Sequence, residues 1–157
     1  MAAGSYRAIE PFDQTIIDRG TIELPEKASM TFKAGAICIL NGGYVEEAGA
    51  APSTVKYIAY EDGHNGALDG SKNGRFWPIT ADVLWEISFL EAIAVSNNGG
   101  NFGVVKDATT GAWYLSTADT GDQMTLEGVV ETPDLGAIGD TKARVIGRFQ
   151  TANIAGA

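Results

Sequence analysis

His64 is the only histidine of the chain, so acid–base chemistry of the serine–histidine or cysteine–histidine kind would have to run through it. It lies in residues 61–75, which carry Asp62-Gly63, Asn65-Gly66, Asp69-Gly70 and Asn73-Gly74. Such pairs form turns, because glycine accepts positive φ and Asn and Asp side chains bond nearby backbone. A general base needs a third group to orient it and surroundings that exclude water; an exposed turn-rich loop is expected to supply neither. His64 is therefore expected to be a solvated loop residue or a turn cap. Asp62, Asn65 and Asp69 carry oxygens suited to calcium, but Gly66 stands where the calcium-loop pattern needs another ligand. Asp119, Asp122 and Glu127 are a sparser set of the same kind. A single Cys with a single His does not make a structural zinc site. Glu46 and Glu47 are adjacent, so on a strand they point to opposite faces. Gly42-Gly43 and Gly99-Gly100 lack the Lys-Ser/Thr of a phosphate loop. The expectation is a protein without catalytic residues, bound metal or cofactor.

Flat rings can stack on sugar faces, and the chain has several. Trp85 and Trp113 alternate with polar neighbours in the manner of core residues. Tyr60 and Trp77 are the freer pair, and are the candidates for a carbohydrate-stacking surface.

The elements that must position these groups are strands. Residues 101–149 hold apolar runs at 102–105, 112–115, 124–130 and 143–149, separated by turn-rich segments. Alternation fits half-buried strands: Met124, Leu126 and Val130 against Thr125 and Glu127, then Val145, Gly147 and Phe149 against Arg144, Ile146 and Arg148. Asn41-Gly42-Gly43 between residues 36–40 and 44–47 predicts a hairpin. Further strands are expected at 54–60, 76–79 and 83–89, with Pro78 confining its strand to an edge or bulge. A short helix fits 81–84 or 90–94. No segment repeats at a fixed period. The fold class is all-β, a single small β-barrel or β-sandwich over residues 32–157. Residues 1–31 read as an extended N-terminal arm, broken by Pro11, Gly20 and Pro25. The arm either packs as an edge strand on its own domain or adds to a neighbouring subunit.

Eleven Lys and Arg against twenty Asp and Glu give a formal charge of −9. That field repels a polyphosphate backbone, so no direct nucleic-acid partner is expected. No apolar run is long enough for a membrane-spanning helix, and residues 1–5 do not begin a secretory signal, so no membrane partner and no export are expected. Cys38, the single cysteine, falls in an apolar run and reads as a small core hydrophobe.

The order FKAGAICILNGGYVEEAGAAPS, VKYIAYEDGHNGA, PITADVLWEISF, FGVVKDATTGAWYLSTADTGDQMTLEGVVE and GDTKARVIGRF, over residues 32–149, resembles the decoration or cement proteins of tailed-bacteriophage heads. The resemblance implies a β-barrel or β-tulip, a non-enzymatic role, and a homo-oligomer with a trimer favoured. It also implies the major capsid protein as partner, and a place on the virion exterior after synthesis in the host cytoplasm. In that setting Ile9, Phe12, Ile16 and Ile17 are the arm residues expected to contact neighbours. Arg144 and Arg148, on one strand face, are expected to pair with acidic residues of the shell. A carbohydrate-binding β module using Tyr60 and Trp77 is the alternative.

Overall fold

Alternating apolar residues and frequent Gly and Asn turns make short strands rather than helices, and the computed structural model, which describes residues 8–118, 121–130 and 137–156, consists mainly of them. In chain order they are β1 (Glu10–Pro11), β2 (Ile22–Pro25), β3 (Ile37–Asn41), β4 (Tyr44–Glu47), β5 (Tyr57–Ala59) and β6 (Asn73–Pro78). β7 (Trp85–Phe89), β8 (Asn101–Lys106), β9 (Trp113–Ser116), β10 (Met124–Val129) and β11 (Arg144–Phe149) follow. The all-β expectation holds, and so does the hairpin at Asn41-Gly42-Gly43, now the β3–β4 turn.

β7 to β11 form a closed barrel in the order β7-β11-β10-β8-β9, with β9 returning to β7 in parallel. β2 to β6 form a second sheet, β2-β6-β5-β3-β4. Its two edges meet at the parallel bridge Glu26–Val45, where the Lys27 N–H donates to the Val45 carbonyl at 2.9 Å.

These two units are the same object built twice. Assigning β2, β3, β4, β5 and β6 to β7, β8, β9, β10 and β11 reproduces the strand order, the strand directions and the register. Ile22–Phe76 and Pro25–Asn73 in one become Trp85–Gly147 and Ser88–Arg144 in the other. Likewise Tyr57–Pro78 becomes Met124–Phe149, Cys38–Tyr57 becomes Phe102–Met124, and Leu40–Val45 becomes Val104–Leu115. The bridge Glu26–Val45 becomes Phe89–Leu115. Irregular bonds repeat as well. The N–H groups of Gly35, Ala59 and Ala36 donate to the carbonyls of Ala59, Ala36 and Lys33. At the matching places Gly99, Leu126 and Gly100 donate to Leu126, Gly100 and Asn97. Gly35 and Gly99 both sit at positive φ, 87° and 80°, where a side chain would be strained.

Across the matched strand positions the side chains have diverged, with identity kept at Glu23/Glu86, Gly35/Gly99 and Tyr44/Tyr114. What is kept is volume in each layer. In the layer Ile22–Phe76 the aromatic comes from β6; in the layer Trp85–Gly147 it comes from β7, and a Cβ on Gly147 would lie 2.7 Å from Met124 Cε. Buried residues of both barrels belong to one continuous apolar core.

Two expectations are corrected. The α-helix, α1 (Gln14–Arg19), lies in the segment read as extended arm, and not at 81–84 or 90–94. Ile16 buries one side of it, and Gly20, at positive φ, ends it by donating to the carbonyls of Ile16 and Ile17. The boundary at residue 31 also fails: β2 is a strand of the first barrel, paired residue for residue with β6, so the barrels begin at residue 22. Residues 1–7 lie outside the described residues. Residues 10–11 pair with β7, at Glu10–Glu86 and Pro11–Trp85.

Candidate functional site

Directly after β2, Glu26 is held on both sides of its backbone: its N–H donates to Lys72 and its carbonyl accepts from Gly70, each at 2.9 Å. This turns its carboxylate into the first barrel, where the residue is 1% exposed. Gly74 makes room, since a Cβ there would stand 2.6 Å from Glu26 Oε2. A buried carboxylate is costly unless paired, and His64 supplies both partners. Its N–H donates to Oε1 at 2.8 Å, and its Nδ1 is in short hydrogen-bond contact with Oε2. The other ring nitrogen, Nε2, lies 3.9 Å from Glu61 Oε1, an oxygen that also accepts the Arg75 N–H at 3.1 Å.

The turn-rich segment around His64 is laced down along residues 28–34. Ala28 N–H donates to Asp69 and Ala34 N–H to Asp62, both at 2.8 Å. The Ala28 bond holds the Asp69 carboxyl below its ordinary pKa, with the Lys27 ammonium adding to the effect. Gly63 and Asn65 donate to Phe32 and Met30. Asp62 and Asp69, weighed as calcium ligands, thus satisfy backbone donors, Glu127 pairs with Arg148, and Asp119 lies outside the described residues. Among the described residues no group of three or more His, Cys, Asp or Glu is arranged to hold a metal ion.

His64 is thus an exposed loop residue as expected, but its ring and its N–H are both bonded to Glu26 rather than left to water. It has the orienting carboxylate that acid–base chemistry requires, but its second nitrogen faces another carboxylate, so the arrangement clamps a loop to the barrel interior. Glu26 was hidden by distance along the chain, although Ile22, Leu24 and Glu26 alternate in a way that puts an acid on the buried face of a strand.

Deeper in the same barrel is Cys38, fully buried. Burial pushes its thiol well above the ordinary pKa, and the nearby Glu47 and Glu26 carboxylates push the same way, so it stays an unreactive thiol. Glu47 joins the barrels: it accepts from Lys106 Nζ at 2.5 Å and from Trp113 Nε1 at 3.0 Å.

The arm is pinned by Arg144. This residue, 1% exposed, donates through Nε to Glu86 (3.2 Å), through one terminal nitrogen to Ser88 Oγ (3.2 Å), and through the other to the Ala8 carbonyl. That last nitrogen lies 3.6 Å from the Glu10 carboxylate. Arg144 is thus absorbed inside the chain, which corrects its expected role on a shell-facing surface. Arg148 shares its strand face but reaches the surface, pairing with Glu127 at 3.5 Å. Of the four arm residues, Ile9 and Ile16 are buried in the chain's own core, whereas Phe12 and Ile17 are 47% and 46% exposed.

Tyr60 and Trp77 are brought together. Their rings meet edge to face, centroids 5.5 Å apart, and the Arg75 guanidinium lies 4.4 Å from the Tyr60 centroid. They line a cleft of about 270 Å³ together with Glu10 and Pro11 of the arm and with Gly35 and Ala59. Gly35 permits the close approach: a Cβ there would meet Ala8 Cβ at 2.6 Å.

No protein-family model, curated protein or solved structure matches this chain.

Proposed function

We propose that this chain is a structural protein of a tailed-phage virion that decorates and stabilises the head by binding the major capsid protein lattice, as a homo-oligomer with a trimer favoured. The observation that carries the reading is the arm. Ile9, Ile16 and Arg144 fix it to the barrels, while Phe12 and Ile17 stand exposed along it. Apolar side chains held out on an ordered segment gain stability when a partner covers them, at roughly 25 cal/mol per Å² of apolar area. A rigid scaffold lowers the ordering cost of that contact, and repetition of the site over a lattice multiplies its effect.

The test is mass spectrometry of purified particles together with binding of the isolated protein to shells. About one copy per capsid subunit, and loss of shell binding in a folded Phe12→Ser/Ile17→Ser variant, is the expected result; absence from particles overturns the reading. The alternative, carbohydrate binding through Tyr60 and Trp77, draws support from their shared cleft. Their edge-to-face arrangement, with Arg75 against Tyr60, offers a saccharide one indole face and no flat platform, which makes it the weaker reading.

A further inference from the structure

We infer that the cleft between the arm and the first barrel receives a single cationic side chain, arginine or lysine, presented by an extended basic segment of a partner protein. The inference rests on the decoration reading only for who the partner is; the site itself is carried by four observations.

The cleft is small and mostly apolar, about 270 Å³, with Trp77, Tyr60 and Pro11 in its lining. That suits the methylene stem of one long side chain, which gains by lying along apolar surface while its charge stays near water. At its rim stands the Glu10 carboxylate, half exposed and 3.6 Å from an Arg144 nitrogen. Because Arg144 also serves Glu86 and Ser88, Glu10 retains acceptor capacity for a second cation. Aromatic faces attract cations through the ring quadrupole, Trp most strongly, and with Tyr60 already covered by the Arg75 guanidinium the ring left to a ligand in the cleft is that of Trp77. Finally, among the described residues β1 is an end strand paired with β7 alone, so an extended segment can run beside it and point alternate side chains into the cleft. Charge selects the occupant: the chain carries a formal charge of −9, which draws in a basic segment and disfavours an acidic one.

The test uses the full chain and its fluorescence. Trp85 and Trp113 are buried, so Trp77 is the indole that a ligand can reach. The probe is a capped pentapeptide, Val-Thr-Arg-Thr-Val, with citrulline replacing arginine as a neutral control of the same shape. The expected result is a saturable change in emission that weakens at high salt. Affinity should fall about tenfold or more with citrulline and about threefold to tenfold in Glu10→Gln, while Trp77→Phe abolishes the signal with far-ultraviolet circular dichroism unchanged. Equal binding of the citrulline peptide, or an unaffected Glu10→Gln, overturns the inference. Saturation by chito-oligosaccharides, with no response to the arginine peptide, also overturns it in favour of sugar binding. Failure here leaves particle stoichiometry untouched, so it is separable from failure of the decoration reading.

Discussion

The β2–β6 barrel and the β7–β11 barrel share strand order and register, yet their interiors differ in kind. The second is filled by Trp85, Ile87, Phe89, Met124, Leu126 and Phe149, all buried. The first places Glu26 where the second has Phe89, and Cys38 where the second has Phe102. An interior of apolar side chains is stabilised by contact alone, whereas a carboxylate in the same place needs a partner brought from outside. That partner is His64, and the long β5–β6 connection, residues 60–72, exists in this conformation to deliver it. The ladder fixes the barrel's shape; the side chain at a single position decides whether its end is sealed by packing or by a loop.

Removing a whole strand from one barrel is the largest way to break the comparison. Deletion of residues 1–31 takes away β2, and we expect loss of cooperative unfolding by circular dichroism, in contrast to the outcome for a dispensable arm. Next is the matched pair of plugs. Phe89→Ala should cost about 3–5 kcal/mol in urea denaturation. His64→Ala should cost about 1.5–3 kcal/mol, because Glu26 Oε2 loses the imidazole while Oε1 keeps the residue-64 N–H. Much of that second loss should return in the double variant Glu26→Leu/His64→Ala, and no recovery would refute the clamp.

The matched glycines sharpen the comparison further. Gly99→Ala has open space around the new Cβ and should cost about 1 kcal/mol of backbone strain. Gly35→Ala meets Ala8 and Ile9 as well and should cost more, with the arm loosened as judged by hydrogen exchange at Phe12. The smallest effect is at Arg19–Asp82, an exposed pair. Hydrogen bonds from Arg19 and then Thr80 hold the Asp82 carboxyl well below its usual pKa. Its contribution is therefore present above the ordinary carboxylate pKa and lost as pH falls through the lower folded value. Asp82→Asn should flatten that acid limb slightly, and salt should erase the difference.

Much of the strand pattern was legible because alternation and turn dipeptides are local signals: the β3–β4 hairpin and the faces of β11 could be read directly. The duplication was not. It lives in backbone pairing, and the matched strands keep few identities while the loops between them differ in length. The tripeptide Gly-Arg-Phe even misleads, since Gly74-Arg75-Phe76 and Gly147-Arg148-Phe149 are two residues out of structural register. α1 was obscured because its stability comes from Ile16 packing and the Gly20 stop, while Thr15, Ile16 and Ile17 favour strand locally. Of the candidate sites, the meeting of Tyr60 with Trp77 was foreseen as a pair of free aromatics. The Glu26–His64 contact and the burial of Arg144 depend on partners far away in sequence, which no local pattern encodes.

The Arg144 pin also sets an order in time. It bonds to Ala8 across 136 positions of chain, so residues 8–11 are made well before the strand that pins them and are among the last to find their place. The first barrel has all its strands once residue 78 has emerged and can close while the second is still being made. Until β11 arrives, the Ala8 carbonyl lacks the Arg144 guanidinium that holds it. Refolding should accordingly show two stages, with burial of the first barrel preceding protection of the Phe12 amide. Arg144→Met should abolish the later stage while sparing the earlier one.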